Sequence, residues 1–369
     1  MGFDDFLGNQ RIVSALRGML RRDRVPSALL FTGPRGIGKY ALARMFAQAA
    51  NCERLKDDFC GECPSCRKIS LLADPVPLIE AGLAERGESA DAAAVERTPL
   101  ILETHPDVWL IVPDPVRLRT PVARPMIRVG QLRAVQRAAY FKPQGRRRIF
   151  ILDGADTMRW TDADLFLKIL EEPPESATLI LLAATPDAML PTIRSRCLQF
   201  HFAPVPVEQI QEFLREHKEA KRLKPADRKL AAQLAAGSPG AALSLDLAES
   251  ERLRRSVLDL LQQAVTGEKY GDVFAATAQL AKQENESFEN ILSLFYSLLT
   301  DALEFSEGIS SRLLRNPDLR GEVESLSKKI DWRWVVRATQ GLDTLEARMR
   351  RNISRQLGLD ALVTSLSAR

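Results

Sequence analysis

No apolar run in the 369 residues approaches the ~20 needed to cross a bilayer as a helix. The N-terminal Met1-Gly2-Phe3-Asp4-Asp5 also lacks the basic-then-apolar layout of a secretory signal. Both absences lead us to expect a soluble, cytoplasmic protein with no membrane partner. Cysteine is sparse, five residues in all, which argues against a disulfide-stapled scaffold. An excess of charge of one sign is nearly missing as well: 52 Lys and Arg stand against 48 Asp and Glu, and the net +4 permits nucleic-acid contact without demanding it. Arg146-Arg147-Arg148 and the basic N-terminal helix are the only candidate footprint, and no aromatic platform or recognition-helix pattern accompanies them. What is present is ample apolar material, 45% of a chain too long for one core, so two or three domains are expected.

Four of the five cysteines crowd together: Cys52, Cys60, Cys63 and Cys66. In a cytosolic chain such crowding favours metal over disulfides. The Cys60-Gly-Glu-Cys63 and Cys63-Pro-Ser-Cys66 spacings let a tight knuckle aim successive thiolates at one centre, which Cys52 can close from the end of the preceding helix. Four thiolates with no open position describe a structural Zn2+ rather than a catalytic one; the competing reading is four reduced, unliganded thiols.

The other concentrated signal is Gly33-Pro-Arg-Gly-Ile-Gly-Lys-Tyr40, which matches G-x-x-x-x-G-K-[ST] except at its last position. An apolar stretch precedes it and a helical composition follows, the context that the motif requires. Gly33, Gly36 and Gly38 would let backbone N–H groups turn around phosphate oxygens, with Lys39 reaching the terminal phosphates. Tyr40 stands where a small hydroxyl normally ligates magnesium, and a phenol is too long and rigid for that role. Further on, the strand Ile149-Phe150-Ile151-Leu152 ends in Asp153, placed to hold magnesium through water. Gly154 follows it, where an active motor would carry a glutamate to polarise the attacking water. Thr185, expected at the carboxyl end of the apolar strand 178–185, would lie near the nucleotide. ATP or ADP binding with Mg2+ is therefore open, and hydrolysis is in doubt.

Strands alternating with helices up to about residue 203 imply a mostly parallel sheet covered on both faces. Residues 75–104, rich in Ala, Glu and Pro, read as a mobile insertion without periodicity. His105 reads as a turn residue with no chemistry. From residue 204 only helical signals remain, with Gly237-Ser238-Pro239-Gly240 as a turn. Phe288, Ile291, Leu292, Phe295, Leu298, Leu299 and Ala302 form one apolar stripe, and Leu342, Leu345, Met349, Ile353 and Leu357 a second.

The phosphate loop, the cysteine knuckle, His105-Pro106-Asp107, Leu170-Glu171-Glu172-Pro173-Pro174, Ser195-Arg196-Cys197 and the tail 352–360 occur in this order. Together they resemble the bacterial clamp-loader subunits of DNA polymerase III, AAA+ proteins with a zinc module inserted after the phosphate-loop helix. The resemblance implies an α/β AAA+ P-loop domain over 1–203, with the zinc module at 52–66. A small helical lid over 204–247 and an all-α collar over 248–369 that joins a ring would follow. It also implies as partners the tau/gamma motor subunits and the delta subunit of a hetero-pentamer, with the sliding clamp and primed DNA reached through the complex. Motor subunits keep the hydroxyl, the glutamate and an arginine in the small-domain Gly-Ser motif. Here stand Tyr40, Gly154 and only Pro239-Gly240-Ala241. The chain is therefore similar to the non-hydrolysing stator branch, delta-prime, in which Arg196 would act in trans as an arginine finger on a neighbour's ATP. An active motor subunit of the tau/gamma type is the alternative; a salt bridge at the sheet edge is the plain reading of Arg196.

Overall fold

Continuous aliphatic runs without polar alternation become strands buried on both faces. In the computed structural model, which describes residues 2–122, 124–159, 163–267, 270–283, 288–309, 314–349 and 354–367, six strands form one sheet. They are β1 Ala28–Thr32, β2 Leu102–His105, β3 Val108–Ile111, β4 Arg148–Asp153, β5 Ala177–Ala183 and β6 Leu198–His201, in the order β2-β3-β4-β5-β1-β6. Every neighbouring pair is parallel except β2 with β3. All residues of β1 and β5 are buried, as central parallel strands require. The registers Phe31↔Leu182 and Asp153↔Leu182 bring the carboxyl ends of β1, β4 and β5 level. Ligand sites in open α/β sheets form at that edge.

The helices are α1 Gln10–Arg21, α2 Lys39–Ala50, α3 Pro64–Ser70, α4 Val76–Arg86, α5 Ala92–Arg97, α6 Val129–Ala139, α7 Ala163–Glu171, α8 Pro191–Arg194, α9 Val207–Glu216, α10 Pro225–Leu234, α11 Pro239–Ser244, α12 Leu247–Thr266, α13 Tyr270–Ala281, α14 Phe288–Ser306, α15 Arg320–Ser327, α16 Trp332–Met349 and α17 Arg355–Ser367. Packing divides the chain into two units. One comprises Met1–Phe213 with Gly237–Ala241, the other Leu214–Ala236 with Ala242–Arg369. Residues 204–247 are thus shared between them.

Residues 75–104 correct the expectation of an irregular insertion: they form α4, α5 and the edge strand β2. Periodicity misses them because α4 buries only Leu83 and α5 only Val95. Tertiary polar bonds supply the order instead. Arg86 grips Asp114 with two parallel bonds of 2.8 Å, the side chains being 3% and 0% exposed, and Gln131 donates to the carbonyls of Leu100 and Val112 at 2.7 and 2.9 Å. Arg86→Ala would strand a buried carboxylate, so it is expected to cost about 3–5 kcal/mol in denaturant unfolding; a loss under about 1 kcal/mol would mean that the pair is incidental.

In the second unit the α14 stripe is buried in full, from Phe288 to Ala302. Leu342 and Leu345 are buried too and Met349 packs against the same core, whereas Leu357 is 65% exposed. The inward face of α17 is Leu359, Leu362, Val363 and Leu366, and Leu357, two residues before Leu359, falls on the opposite side. Asn352 and Ile353 lie outside the described residues.

Candidate functional site

The turn from β1 into α2 is built by backbone geometry that side chains resist. Gly36 has φ +77, and a Cβ on it would sit 2.7 Å from the backbone nitrogen of Ala241, so only glycine fits. Lys39 Nζ donates to the carbonyls of Gly33 and Pro34 at 2.6 and 2.9 Å. Burial lowers its pKa, with Asp153 and Asp156 acting in the opposite sense. The backbone N–H groups of Gly36, Gly38, Lys39 and Tyr40 donate to no acceptor among the described residues. These four residues line a cleft of about 710 Å3 that also includes Arg35, Asp153, Asp156 and Gly154. Orphan N–H groups at a helix start, beside a lysine, fit phosphate oxygens.

Asp153 lines this cleft. Burial raises its pKa and the Lys39 ammonium lowers it. Asp156, for which sequence reasoning had no role, faces the same lysine and accepts the Ala184 N–H at 3.0 Å; its spacing three residues after Asp153 was the available signal. Thr185 is exposed at the start of the turn Pro186–Ala188 and is not among the cleft-lining residues; β5 ends at Ala183, and Ala184 lines the cleft instead.

Three features of the cleft bear on magnesium and hydrolysis. The Tyr40 hydroxyl donates to the carbonyl of Leu72, and burial raises its pKa, so the phenol stays protonated and committed to a turn of the cysteine module. Gly154 is left-handed at φ +77, and a Cβ there would lie 3.0 Å from Pro113 Cγ. A glutamate at this position would strain the backbone and press on the proline. Finally, the Gly240 N–H donates to the carbonyl of Gly36 at 2.9 Å, and a Cβ on Gly240 would fall 2.9 Å from that oxygen. Backbone therefore meets backbone at the Gly-Ser motif, with no side chain reaching toward a phosphate from Gly240.

The cysteine cluster follows α2. The ligand atoms of Cys52, Cys60, Cys63 and Cys66 all lie within 4.8 Å of one another. Thiolates about 2.3 Å from a tetrahedral zinc stand about 3.8 Å apart, so the set is compatible with that ion. Backbone N–H groups of Leu55, Cys63 and Cys66 point at the sulfurs of Cys52, Cys60 and Cys63, at 3.4, 3.3 and 3.5 Å. Such bonds favour thiolate: backbone N–H groups at Glu62 and Cys63 hold the Cys60 thiol down to about 6, while burial pushes Cys66 up. Outer contacts brace the cluster. Gln48 donates to the Cys66 carbonyl at 3.0 Å, Ser65 Oγ donates to Glu53 at 2.8 Å, and His105 Nε2 meets that Ser65 Oγ at 3.2 Å. His105 Nδ1 accepts the Asp107 N–H at 3.1 Å, the turn role expected of it.

Arg196 lies just past α8, its side chain 36% exposed. Its guanidinium donates to Glu171 Oε1 at 2.8 Å and to the Thr192 carbonyl at 2.9 Å. Most arginines of the runs considered as a nucleic-acid footprint make internal bonds. Arg146, Arg147 and Arg148 donate to the carbonyls of Leu55, Ala177 and Ala138. Arg17 and Arg21 of α1 pair with Asp4, Asp58 and Asp57.

A family model described as "DNA polymerase III, delta subunit" matches residues 8–206, and one described as "DNA polymerase III, delta subunit, C terminal" matches residues 252–367. DNA polymerase III subunit tau of Escherichia coli K12 is 32% identical over 247 residues, 66% of this chain and 32% of that protein. Subunit tau/gamma of Haemophilus influenzae is 30% identical over 214 residues, 58% of this chain and 25% of that protein. The chain thus spans about a third or less of the length of these relatives. A solved Thermotoga maritima DNA polymerase III gamma subunit-related protein aligns over 97% of this chain and 99% of that one at 15% identity, with a TM-score of 0.37, too low to bear on function. No helix among the described residues is long and apolar enough to cross a membrane.

Proposed function

The chain belongs to the bacterial clamp-loader subunits of DNA polymerase III, AAA+ proteins, and within that family we propose that it is the stator-type, delta-prime subunit. In this reading it joins a ring with tau/gamma motor subunits and a delta subunit through its helical collar, 248–369. It does not hydrolyse ATP itself. Through the complex it helps to place a sliding clamp on primed DNA. The observation that carries the reading is the Tyr40 hydroxyl bonded to Leu72, which leaves no hydroxyl for magnesium at the end of the loop. Gly154 and Gly240 agree with it, because the backbone at each is built to exclude a longer side chain.

A motor subunit is the second reading, and the identities to tau and gamma subunits favour it. Its difficulty is chemical. Phosphoryl transfer needs magnesium held on the β- and γ-oxygens and a group that orients water, and neither Tyr40 nor Gly154 supplies one. Nucleotide binding is compatible with both readings: Lys39 and the orphan N–H groups of the loop would hold the phosphates, while Asp153 would face any bound cation.

The four cysteines would hold a structural zinc that fixes the segment 52–73 against α2. Arg196 would be offered to the ATP of an adjacent subunit, stabilising charge on its γ-phosphate. ATP turnover by the purified chain separates the two readings: absence fits the stator, and turnover abolished by Lys39→Ala fits the motor.

A further inference from the structure

Two ties run from the cysteine module to the phosphate loop. The first is a single side chain. Tyr40 stands in the first turn of α2, and its N–H is one of the groups of the cleft-lining turn that find no acceptor among the described residues. Its hydroxyl, at the far end of the ring, donates to the carbonyl of Leu72, in the turn Leu71–Ala73 that continues α3 beyond Cys66. One residue thus carries a phosphate donor at one end and a bond to the metal module at the other. Two turns along the same helix Gln48, 2% exposed, repeats the attachment through the carbonyl of Cys66 at 3.0 Å.

The second tie passes through the N-terminal segment. Asp58, two residues before Cys60, accepts the Phe3 N–H at 3.0 Å, and the Phe59 ring meets the Phe3 ring edge-on with 5.9 Å between centroids. The Phe6 ring then closes on the loop itself: a Cβ on Gly38 would lie 3.0 Å from Phe6 Cζ. Gly38 is left-handed at φ +102 and is the residue that turns the loop into α2. Residues 52–73 therefore brace the phosphate loop from two sides. Small metal knuckles are ordered by the ion they hold, so the placement of the Leu72 carbonyl depends on whether the cysteine cluster is filled. Fixing one end of Tyr40 leaves less entropy to lose when the other end is fixed, which couples two sites without a change of shape. We propose that Tyr40 is a positioning residue through which the two sites reinforce each other: a nucleoside diphosphate is held more tightly when the cluster is filled, and the cluster holds its metal more tightly when the loop is filled. The inference rests on the nucleotide and zinc readings above and holds for a stator and a motor alike.

The test measures both directions on the full chain. Affinity for a fluorescent ADP analogue is compared between the native chain and the chain stripped of zinc by a chelator that is then removed. Zinc affinity is measured by chelator competition with and without the same analogue. Linkage requires one factor in both directions, and about fivefold or more is expected, the lower range of ordinary couplings. In Tyr40→Phe, which keeps the ring and loses the bond, and in Tyr40→Thr, which cannot reach Leu72, that factor should all but vanish. A merely structural Tyr40 would instead change zinc-loaded and zinc-free affinities alike and leave their ratio as it is. Equal ADP affinity with and without zinc, different factors in the two directions, or an undiminished factor in both Tyr40 variants would overturn the inference alone. No binding of the analogue by the zinc-loaded chain would overturn it together with the nucleotide reading, and native protein without zinc would overturn it together with the zinc reading.

Discussion

Arg196→Ala is expected to slow ATP hydrolysis at the neighbouring active site of a reconstituted clamp loader by about 10³-fold, the lower range for loss of an arginine finger. The reason lies in how loosely the side chain is held. Its ion pair with Glu171 is exposed on both sides, 36% and 51%, and exposed pairs contribute only about 0–1 kcal/mol. A γ-phosphate offers more charge and a bidentate fit, so the guanidinium can leave Glu171 at little cost. For the same reason the substitution should leave the melting temperature and ring incorporation of this chain unchanged. Arg196→Lys should recover only part of the rate, because an ammonium cannot reproduce the planar fork. Unchanged turnover in the alanine variant would confine Arg196 to its bond with Glu171.

Metal removal is expected to have the largest effect on stability. One zinc per chain should be found by elemental analysis, and chelation or Cys66→Ser should unfold residues 52–73, since structural zinc sites contribute on the order of 10 kcal/mol in apparent folding free energy. The damage should not stop at the knuckle. Tyr40 and Gln48, both on α2, are tied to it through Leu72 and Cys66. Backbone amides of α2 from Leu42 onward should therefore lose hydrogen-exchange protection when the metal is withdrawn. Native protein without zinc, or a chelated protein with an unaltered melting temperature, would contradict this account.

The parts of the structure that could be read from the sequence are those in which the chemistry is local. The phosphate loop announces itself because Gly33, Gly36, Gly38 and Lys39 fall at fixed spacing between a strand and a helix. The knuckle does so because metal geometry fixes Cys-x-x-Cys spacing. The apolar runs of β4 and β5 and the stripe of α14 follow from burial periodicity alone. What escaped depends on partners distant in sequence. Helices α4 and α5 are held by Arg86 with Asp114 and by Gln131 with two carbonyls, bonds that span 19 to 31 residues. The contact of Gly240 with Gly36 likewise spans about two hundred positions. Arg146-Arg147-Arg148 misleads for a related reason. As a charge run it reads as a candidate nucleic-acid footprint, yet each side chain donates to a backbone carbonyl elsewhere. Leu357 is a failure of register: the inward stripe of α17 starts two residues later.

The absence of turnover is the central claim, and it rests on Tyr40, Gly154 and Gly240 together. The measurement that tests it most directly is steady-state ATP hydrolysis by the purified chain alone, with magnesium, in the presence and absence of primed DNA. The account predicts a rate no higher than that of the Lys39→Ala variant under either condition. A DNA-stimulated rate well above background that disappears in Lys39→Ala would contradict it and make this chain a motor with an unusual magnesium site.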